Sequence, residues 1–460
     1  MLTVPWALAP VAWLLACRAD PAPRPPVDTA RTTSTADSET LTPTGPTGID
    51  TDTDVDSGTP TAPTWLDGRL RVDGDVPWGR LGYHLYASSS HLIAAQPGSF
   101  DGFPYDADGG HIRWFDPSLH EISATPAGDD FLDGAGAMGL DMGGSPRGTG
   151  LLVWHQAIDT ADRHVRWWHP DHARSHPISA PWGSDTLAMS IGDIDGDAVD
   201  DAVFAQSNRI DKTFERRLYW RLGPLDNDAT PVQLDLPHLT FEPPLTGLVG
   251  DLPTLDHDHD GQDEVVVALG PHLYLLDDLP GRSSPVHAED LPLLLLDTPN
   301  TRAVALTLPS GEPCVVAGDV LRNQRDGAVL LGCEGGQGQP TWQVDGEDTG
   351  DWIGAALAVG DLDNDGLDDL IAGAPSSYYG EHRRGKVYVW LGPLDQPPTP
   401  DRTLVIHGQR HGDRFGTAVA VLPSPRGNLL AVSAANSSYA VEQGGSIYLL
   451  AWDELAELLP

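Results

Sequence analysis

The sequence predicts an all-β protein assembled from repeated units, and three observations carry that expectation. Short Asp-rich loops recur, each leading directly into an apolar strand. Similar segments return at a near-constant spacing along most of the chain. The 460 residues include 50 Gly and 41 Pro, a composition that favours many turns over long helices.

The acidic loops are Asp193-Ile-Asp195-Gly-Asp197-Ala-Val199-Asp-Asp201, Asp256-His-Asp258-His-Asp260-Gly-Gln262-Asp-Glu264 and Asp361-Leu-Asp363-Asn-Asp365-Gly-Leu367-Asp-Asp369. Carboxylates at positions one, three and five point to one side of a tight turn, position seven offers its backbone carbonyl, and position nine adds a carboxylate. Such an oxygen cage suits a hard cation, and calcium is the ion expected. The expected ligands are therefore Asp193, Asp195, Asp197, Val199 and Asp201 in the first loop. In the second they are Asp256, Asp258, Asp260, Gln262 and Glu264, and in the third Asp361, Asp363, Asp365, Leu367 and Asp369. Carboxylates held this close repel one another at low dielectric, so the ion is expected to be part of the fold. An EF-hand shares the first spacing but closes with a Glu at position twelve between helices. Here Val203 and Phe204, Val265 to Val267, and Leu370 and Ile371 follow the loops, which is strand composition.

Two details set the loops apart. Ala198 stands at position six where Gly would ease a positive φ, so the Asp193 loop is expected either to be strained or to use a different turn. His257 and His259 would suggest a transition-metal site, but alternation with the carboxylates places them outside the cage as exposed spacers.

The repeat is clearest in Tyr219-Trp-Arg-Leu-Gly223-Pro-Leu-Asp226 against Tyr388-Val-Trp-Leu-Gly392-Pro-Leu-Asp395. An aromatic or bulky residue beside Gly precedes each unit, at Trp78-Gly79, Phe131 near Gly134, Trp182-Gly183, Leu245 near Gly247, Trp352-Ile353-Gly354 and Phe415-Gly416. With a weaker unit around Ala303 to Cys333, starts recur roughly every 50 to 60 residues, giving seven units over residues 65–460. Four strands of five or six residues with their turns occupy about 50 residues, the size of one propeller blade.

The segment Asp351-Trp-Ile-Gly354 through Gly360-Asp361 to Asp369-Leu-Ile-Ala-Gly373-Ala-Pro375, followed by Gly385-Lys-Val-Tyr-Val-Trp390, resembles an FG-GAP repeat of integrin α-subunit β-propellers. Phe415-Gly416 to Gly444-Gly445-Ser-Ile-Tyr448 is similar in frame, with Leu422 to Gly427 in place of the acidic loop. The resemblance implies a seven-bladed β-propeller with calcium in blade-edge loops. Ala87 to His91, Met142 to Gly150 and Pro309 to Pro313 hold the loop position in the three weak units and carry no acidic run. Three calcium sites are therefore expected, not seven.

The N-terminus reads as an address. Leu2 to Ala16 is uncharged, apolar and short for a bilayer span, and it reads as a signal peptide over residues 1–16. Its ending, Leu14-Leu-Ala-Cys17, resembles the lipobox of bacterial lipoproteins, which implies a lipid on Cys17 and an exported protein held at the cell envelope. It departs from that pattern in lacking an early Lys or Arg and in the size of Leu15. An ordinary secretory signal or a mis-assigned start codon is the alternative. Residues 17–64, rich in Pro, Thr, Ser and Asp, cannot bury enough surface to fold and read as a tether. The run Thr51 to Asp56 alternates Asp without a following strand and belongs to that tether.

A net charge of −40 and a pI near 4.4 argue against nucleic acid as a partner, because phosphate binding needs a basic surface. Lys212 and Lys386 are the only lysines. Cys314 and Cys333 lie at the far ends of two expected adjacent strands and form either a disulfide or two buried free thiols. No nucleophile elbow, His-Glu-x-x-His or phosphate-cradling Gly loop is present, so no catalytic residue is assigned. The Trp residues, among them Trp114, Trp154, Trp167 and Trp168, are expected to anchor blade packing, with stacking on sugar rings as the alternative. The functional expectation is a monomeric surface binding, adhesion or scaffold module for a protein or glycan. The alternative is a secreted hydrolase or lyase on polysaccharide or phosphodiester at the channel mouth.

Overall fold

The computed structural model describes residue 66 and residues 69–459, apart from 76–77, 89–90, 97–110, 125–139, 146–147, 157–162, 170–171, 178–184, 211–212, 226–237, 246–249, 270, 299–300, 335, 348, 380–381 and 426. The expected signal peptide, Cys17 and the tether lie outside the described residues, as do Phe131 and Trp182. The chain divides into two units, Met1–Thr61 and Ala62–Pro460, and all described residues belong to the second.

Strands dominate it. In chain order, the first sheet comprises Leu85–Ala87, Leu92–Gln96, His111–Phe115 and Glu121–Ala124, and the second Leu140–Ser145, Gly148–Gln156, Arg163–His169 and His172–Pro177. The unit carrying the Asp193 loop follows with Asp185–Gly192, Asp201–Ile210, Thr213–Arg221 and His238–Leu239. Next come Thr254–Leu255, Glu264–Leu269, His272–Leu276 and Leu293–Leu295, then Thr301–Thr307, Pro313–Asp319, Ala328–Cys333 and Trp342–Asp345. The sheet with the Asp361 loop holds Ala356–Gly360, Asp369–Ala374, Lys386–Trp390 and Thr403–His407. The last holds Phe415–Leu422, Leu429–Ala434 and Ser446–Ala451.

Its fourth strand comes from the other end of the chain. Leu70–Asp73 pairs antiparallel with Ser446–Ala451, Leu70 opposite Leu449 and Asp73 opposite Ser446. Inner strands from several sheets line one channel of about 410 Å³, through residues such as Tyr86, Ser190, Arg302, Leu357 and Thr417. An N-terminal strand completing the C-terminal sheet around a common channel is the architecture of an all-β β-propeller.

Six of the sheets are four-stranded antiparallel blades, where the repeat count led to seven of that form. The unit with the Asp193 loop departs from it as a five-stranded sheet, because Gly250–Asp251 pairs parallel with the inner strand Asp185–Gly192. A second correction concerns Met142 to Gly150: Ser145 pairs with Gly148, so strand occupies most of that stretch.

Sheet faces stack to form the core. Leu330 and Val265 belong to one buried cluster, Ile353 and Trp390 to another, and Phe415 and Leu404 to a third. At three blade junctions an apolar residue bridges a glycine of the preceding blade: Ile353 with Gly327, Phe415 with Gly385 and Leu81 with Gly445. A Cβ on Gly385 would lie 2.1 Å from the Phe415 carbonyl oxygen, so the contact requires glycine there. The same geometry moves the start of the first blade from Trp78-Gly79 to Leu81-Gly82. Trp114, with Trp220, Trp342 and Trp390, is buried and serves packing; the side chains of Trp154, Trp167 and Trp168 lie outside what is described. Cys314 and Cys333 stand directly opposite on neighbouring strands and are joined by a disulfide that spans 19 residues. Closing a loop of that size stabilises by about 3 kcal/mol, in a blade without an acidic loop.

Candidate cation-binding loops

The three acidic loops adopt one conformation, dictated by their carboxylates. Position one accepts from the position-six amide: Ala198 N donates to Asp193 Oδ2 at 2.8 Å, Gly261 N to Asp256 Oδ2 at 3.3 Å and Gly366 N to Asp361 Oδ2 at 3.0 Å. Position three accepts from position five, with Asp195, Asp258 and Asp363 receiving the Asp197, Asp260 and Asp365 amides at 3.2, 3.1 and 3.0 Å. Position five accepts from position seven, with Val199, Gln262 and Leu367 donating at 2.9, 2.8 and 2.9 Å. These local turns are what Asp does best in short loops.

Their result is three triads, Asp193/Asp195/Asp197, Asp256/Asp258/Asp260 and Asp361/Asp363/Asp365, with carboxylate oxygens within 4.8 Å of one another in each. Position nine takes a different part. Asp201 and Asp369 are 0% exposed and accept from the position-two amides of Ile194 and Leu362 at 3.0 and 2.8 Å. Their other oxygens accept from Gly223 and Gly392 at 2.6 and 2.8 Å. The repeated Leu-Gly-Pro-Leu segments are thus where each loop is tied to its own blade. The longer Glu264 reaches the His257 amide in the same way.

A divalent cation fits these triads. Asp256 Oδ1 is buried without a hydrogen-bond donor, a costly state for a carboxylate oxygen unless a cation faces it. Backbone amides hold the triads in shape while the remaining carboxylate lone pairs converge. Asp195 and Asp363 are pushed up from the usual carboxylate range, first by burial and also by the neighbouring Asp197 and Asp365. Burial, opposed by the glycine amides, raises Asp201 to about 7 and Asp369 to about 6. A carboxyl whose folded pKa is raised favours the fold when protonated, so that contribution is present below about pH 4 and lost as pH rises through 6 to 7. Chelator-treated protein should therefore melt at a lower temperature at pH 8 than at pH 5.5, and saturating divalent cation should shrink or reverse the difference in a paired scan.

Positions four and six require left-handed backbone. Position six is Gly261 at φ 90° and Gly366 at φ 86°, but Ala198 at φ 61°. The Asp193 loop thus keeps the common turn and carries the strain. Ala198→Gly should stabilise the protein by about 1 kcal/mol in a urea titration.

His257 pairs with Glu334 on the next blade, outside the triad, and His259 is exposed at position four. A fourth group, Glu312 with Cys314 and Cys333, offers no thiolate because both sulfurs are in the disulfide. Position eight and the partners beyond each loop add contacts that the nine-residue pattern does not specify. Asp263 Oδ2 accepts from Asp193 N at 2.9 Å, Asp368 accepts from the Thr307 backbone, and Asn428 Nδ2 donates to the Asp361 carbonyl. The signal was the first carboxylate, at position eight, of each closing pair, Asp200-Asp201, Asp263-Glu264 and Asp368-Asp369.

Residues 353–390, which contain the whole Asp361 loop, match the FG-GAP repeat family. The chain is similar to integrin alpha-3 of Cricetulus griseus, 39% identical over 111 residues that make up 23% of this chain and 10% of that protein. It is similar to integrin alpha-PS2 of Drosophila melanogaster, 30% identical over 118 residues, 24% of this chain and 8% of that one. Phosphatidylinositol-glycan-specific phospholipase D of Rattus norvegicus is 35% identical over 107 residues, 21% of this chain and 13% of that one. The chain spans about a tenth of the length of these relatives. Among solved structures, the Myceliophteria thermophila Cps50 (Swd1) β-propeller domain covers 83% of this chain and is itself fully covered, at 10% identity and TM-score 0.46, too slight a likeness to argue from. The protein is an all-β β-propeller that carries an FG-GAP repeat match at residues 353–390 and is similar to integrin α subunits over about a quarter of its length.

Proposed function

We propose that this protein is a calcium-stabilised β-propeller that acts as a binding and adhesion module at a cell surface, taking a protein or glycan partner on its loop-built faces. The observation that carries this reading is the three equivalent triads, each cross-linked by the same backbone donors, one of them inside the FG-GAP match. In it, Asp193, Asp195 and Asp197, Asp256, Asp258 and Asp260, and Asp361, Asp363 and Asp365 hold calcium, joined by the carbonyls of Val199, Gln262 and Leu367. Asp201, Glu264 and Asp369 complete or brace each cage. The ion supplies the positive charge that lets several carboxylates share one turn. The protein works as a monomer, exported and held at a bacterial envelope through lipid on Cys17. Among the described residues no helix is long and apolar enough to cross a membrane.

The integrin likeness supports a protein-binding module, because a rigid propeller carries variable loops on a fixed frame. The likeness to a phospholipase D supports the second reading, a hydrolase on a phosphodiester. Immobilised protein probed with a glycan array and with purified surface proteins, in calcium and then in EDTA, separates them. Saturable, calcium-dependent binding without turnover supports the module; release of product from a phosphodiester substrate, abolished by no loop variant, contradicts it. Cys17→Ser should move the protein from the membrane fraction to the soluble one, and continued lipid labelling would refute the anchor.

A further inference from the structure

Two of the three loops touch. Asp193, position one of its loop, donates its amide to Asp263 Oδ2 at 2.9 Å, and the Asp263 amide donates back to the Asp193 carbonyl at 2.7 Å. Asp263 sits at position eight of the neighbouring loop, between Gln262 at position seven and Glu264 at position nine. The approach is close enough to exclude a side chain between them: a Cβ on Gly192 would lie 2.5 Å from Asp263 Oδ2, and one on Gly196 would lie 2.9 Å from Gln262 Cγ. Thr254 Oγ1 adds a bond to the Ile191 carbonyl at 2.9 Å.

Position eight makes the corresponding contact elsewhere, with a different outcome. Asp368 accepts from the Thr307 backbone, and Thr307 ends the inner strand of a blade whose turn is Pro309 to Pro313. No carboxylate triad lies there among the described residues. On its other side the Asp361 loop meets Asn428 of the last blade, which carries no acidic run. Among the described residues the Asp361 loop therefore has no neighbouring carboxylate triad, whereas the Asp193 and Asp256 loops share a two-way backbone and carboxylate strap.

We infer that the Asp193 and Asp256 loops bind divalent cation as a positively cooperative pair, with Asp263 as the positioning residue that couples them, while the Asp361 loop binds independently. This rests on the cation reading of the triads. An ion in the Asp256 loop draws Asp258, Asp260 and the Gln262 carbonyl inward and fixes the adjoining Asp263. Asp263 then holds the Asp193 backbone in the conformation its own ion needs, so the second ion binds a loop already ordered. Repulsion between the two bound ions opposes the effect, and salt screens it beyond about 8 Å at 0.15 M ionic strength.

The test uses the full chain, stripped of metal and titrated with calcium by isothermal calorimetry at 0.15 M salt. In an Asp363→Ala/Asp365→Ala background, two ions should bind with a Hill coefficient above 1. Adding Asp258→Ala/Asp260→Ala should weaken the remaining site roughly five- to twenty-fold relative to the paired protein. Asp263→Ala in the first background retains every cage ligand and should return the Hill coefficient to 1 with both ions still bound, a readout that a merely structural loss would not give. Equal affinity of the Asp193 loop with and without its neighbour, in a chain that binds three ions, overturns the coupling alone. A wild-type chain that binds no calcium overturns both the coupling and the cation reading beneath it.

Discussion

Lys386→Met should cost the fold about 3–5 kcal/mol, read as a lower urea midpoint with an unchanged slope. Lys386 is 1% exposed on a central strand of its blade. Its Nζ lies 2.7 Å from Glu347 Oε2 and 3.1 Å from Asp351 Oδ2, and Asp351 is 0% exposed. Deleting the ammonium leaves the Asp351 carboxylate buried without that cation, and removing one partner of a buried pair is more damaging than replacing both. Asp351 immediately precedes Trp352-Ile353-Gly354, and its carbonyl accepts from Ser376 N at 3.3 Å, so the loss falls on the junction between two blades. The Lys386 hydrogen bond is also the first cause holding Glu347 below its ordinary value of 4.5. A lowered carboxyl stabilises above its unfolded pKa and loses that contribution as pH falls. The wild type should therefore weaken below about pH 4.5 by more than Lys386→Met does. Lys386→Met combined with Asp351→Asn should recover part of the loss, and a double variant no better than the single would contradict the pairing argument.

A chain beginning at Gly74 should lose about 4–6 kcal/mol and associate. Leu70–Asp73 supplies the outer strand of the last blade, and its side chains hold it there. The Arg71 guanidinium lies 3.6 Å from the Tyr439 ring centre, with Arg410 at 3.8 Å from that ring. Ser446 Oγ donates to Asp73 Oδ1 at 2.6 Å, Arg69 pairs with Glu454, and Leu66 is 2% exposed in the core of the last two blades. Ladder hydrogen bonds at about 1 kcal/mol each and one buried leucine at about 2 kcal/mol make up the sum. That is a large part of the roughly 5–15 kcal/mol that holds a domain together. Truncation also bares the edge of Ser446–Ala451, a template for pairing with a second chain. Circular dichroism should show a lower melt and gel filtration a concentration-dependent larger species; a monodisperse truncation with the wild-type melt would show that the strand is dispensable.

What the sequence disclosed followed from the range of each interaction. The turns of the loops were legible because their chemistry is local: Asp193 to Asp201 contain every residue of the turn and the triad, whereas the position-nine carboxylate, expected in the cage, is tied to backbone amides. The Gly-Pro repeats were visible as sequence, but that Gly223 and Gly392 donate to Asp201 and Asp369 joins residues more than a strand apart. The first blade was misplaced by three residues because its bridging residue is Leu81, while Trp78-Gly79 offers the aromatic that the other junctions lead one to seek. Ring closure by Leu70–Asp73 left no local trace, since a four-residue strand carries the same pattern whichever sheet it completes. The parallel pairing of Gly250–Asp251 is two residues long, too short for alternation to register. Asp263 stands beside Glu264 in the sequence, and only the neighbouring blade reveals its partner, the Asp193 amide.

Calcium-dependent stability lies at the centre of the account, and a thermal melt of the full chain in calcium and then in excess EDTA reaches it most directly. With calcium at 1,000 times its dissociation constant, each occupied loop adds about 4 kcal/mol. Chelation should lower the melting temperature by well over ten degrees and restored calcium should reverse the drop. Superimposable melts in calcium and EDTA would mean that the Asp193, Asp256 and Asp361 loops are ordinary acidic turns, and the cation-stabilised propeller would have to be abandoned.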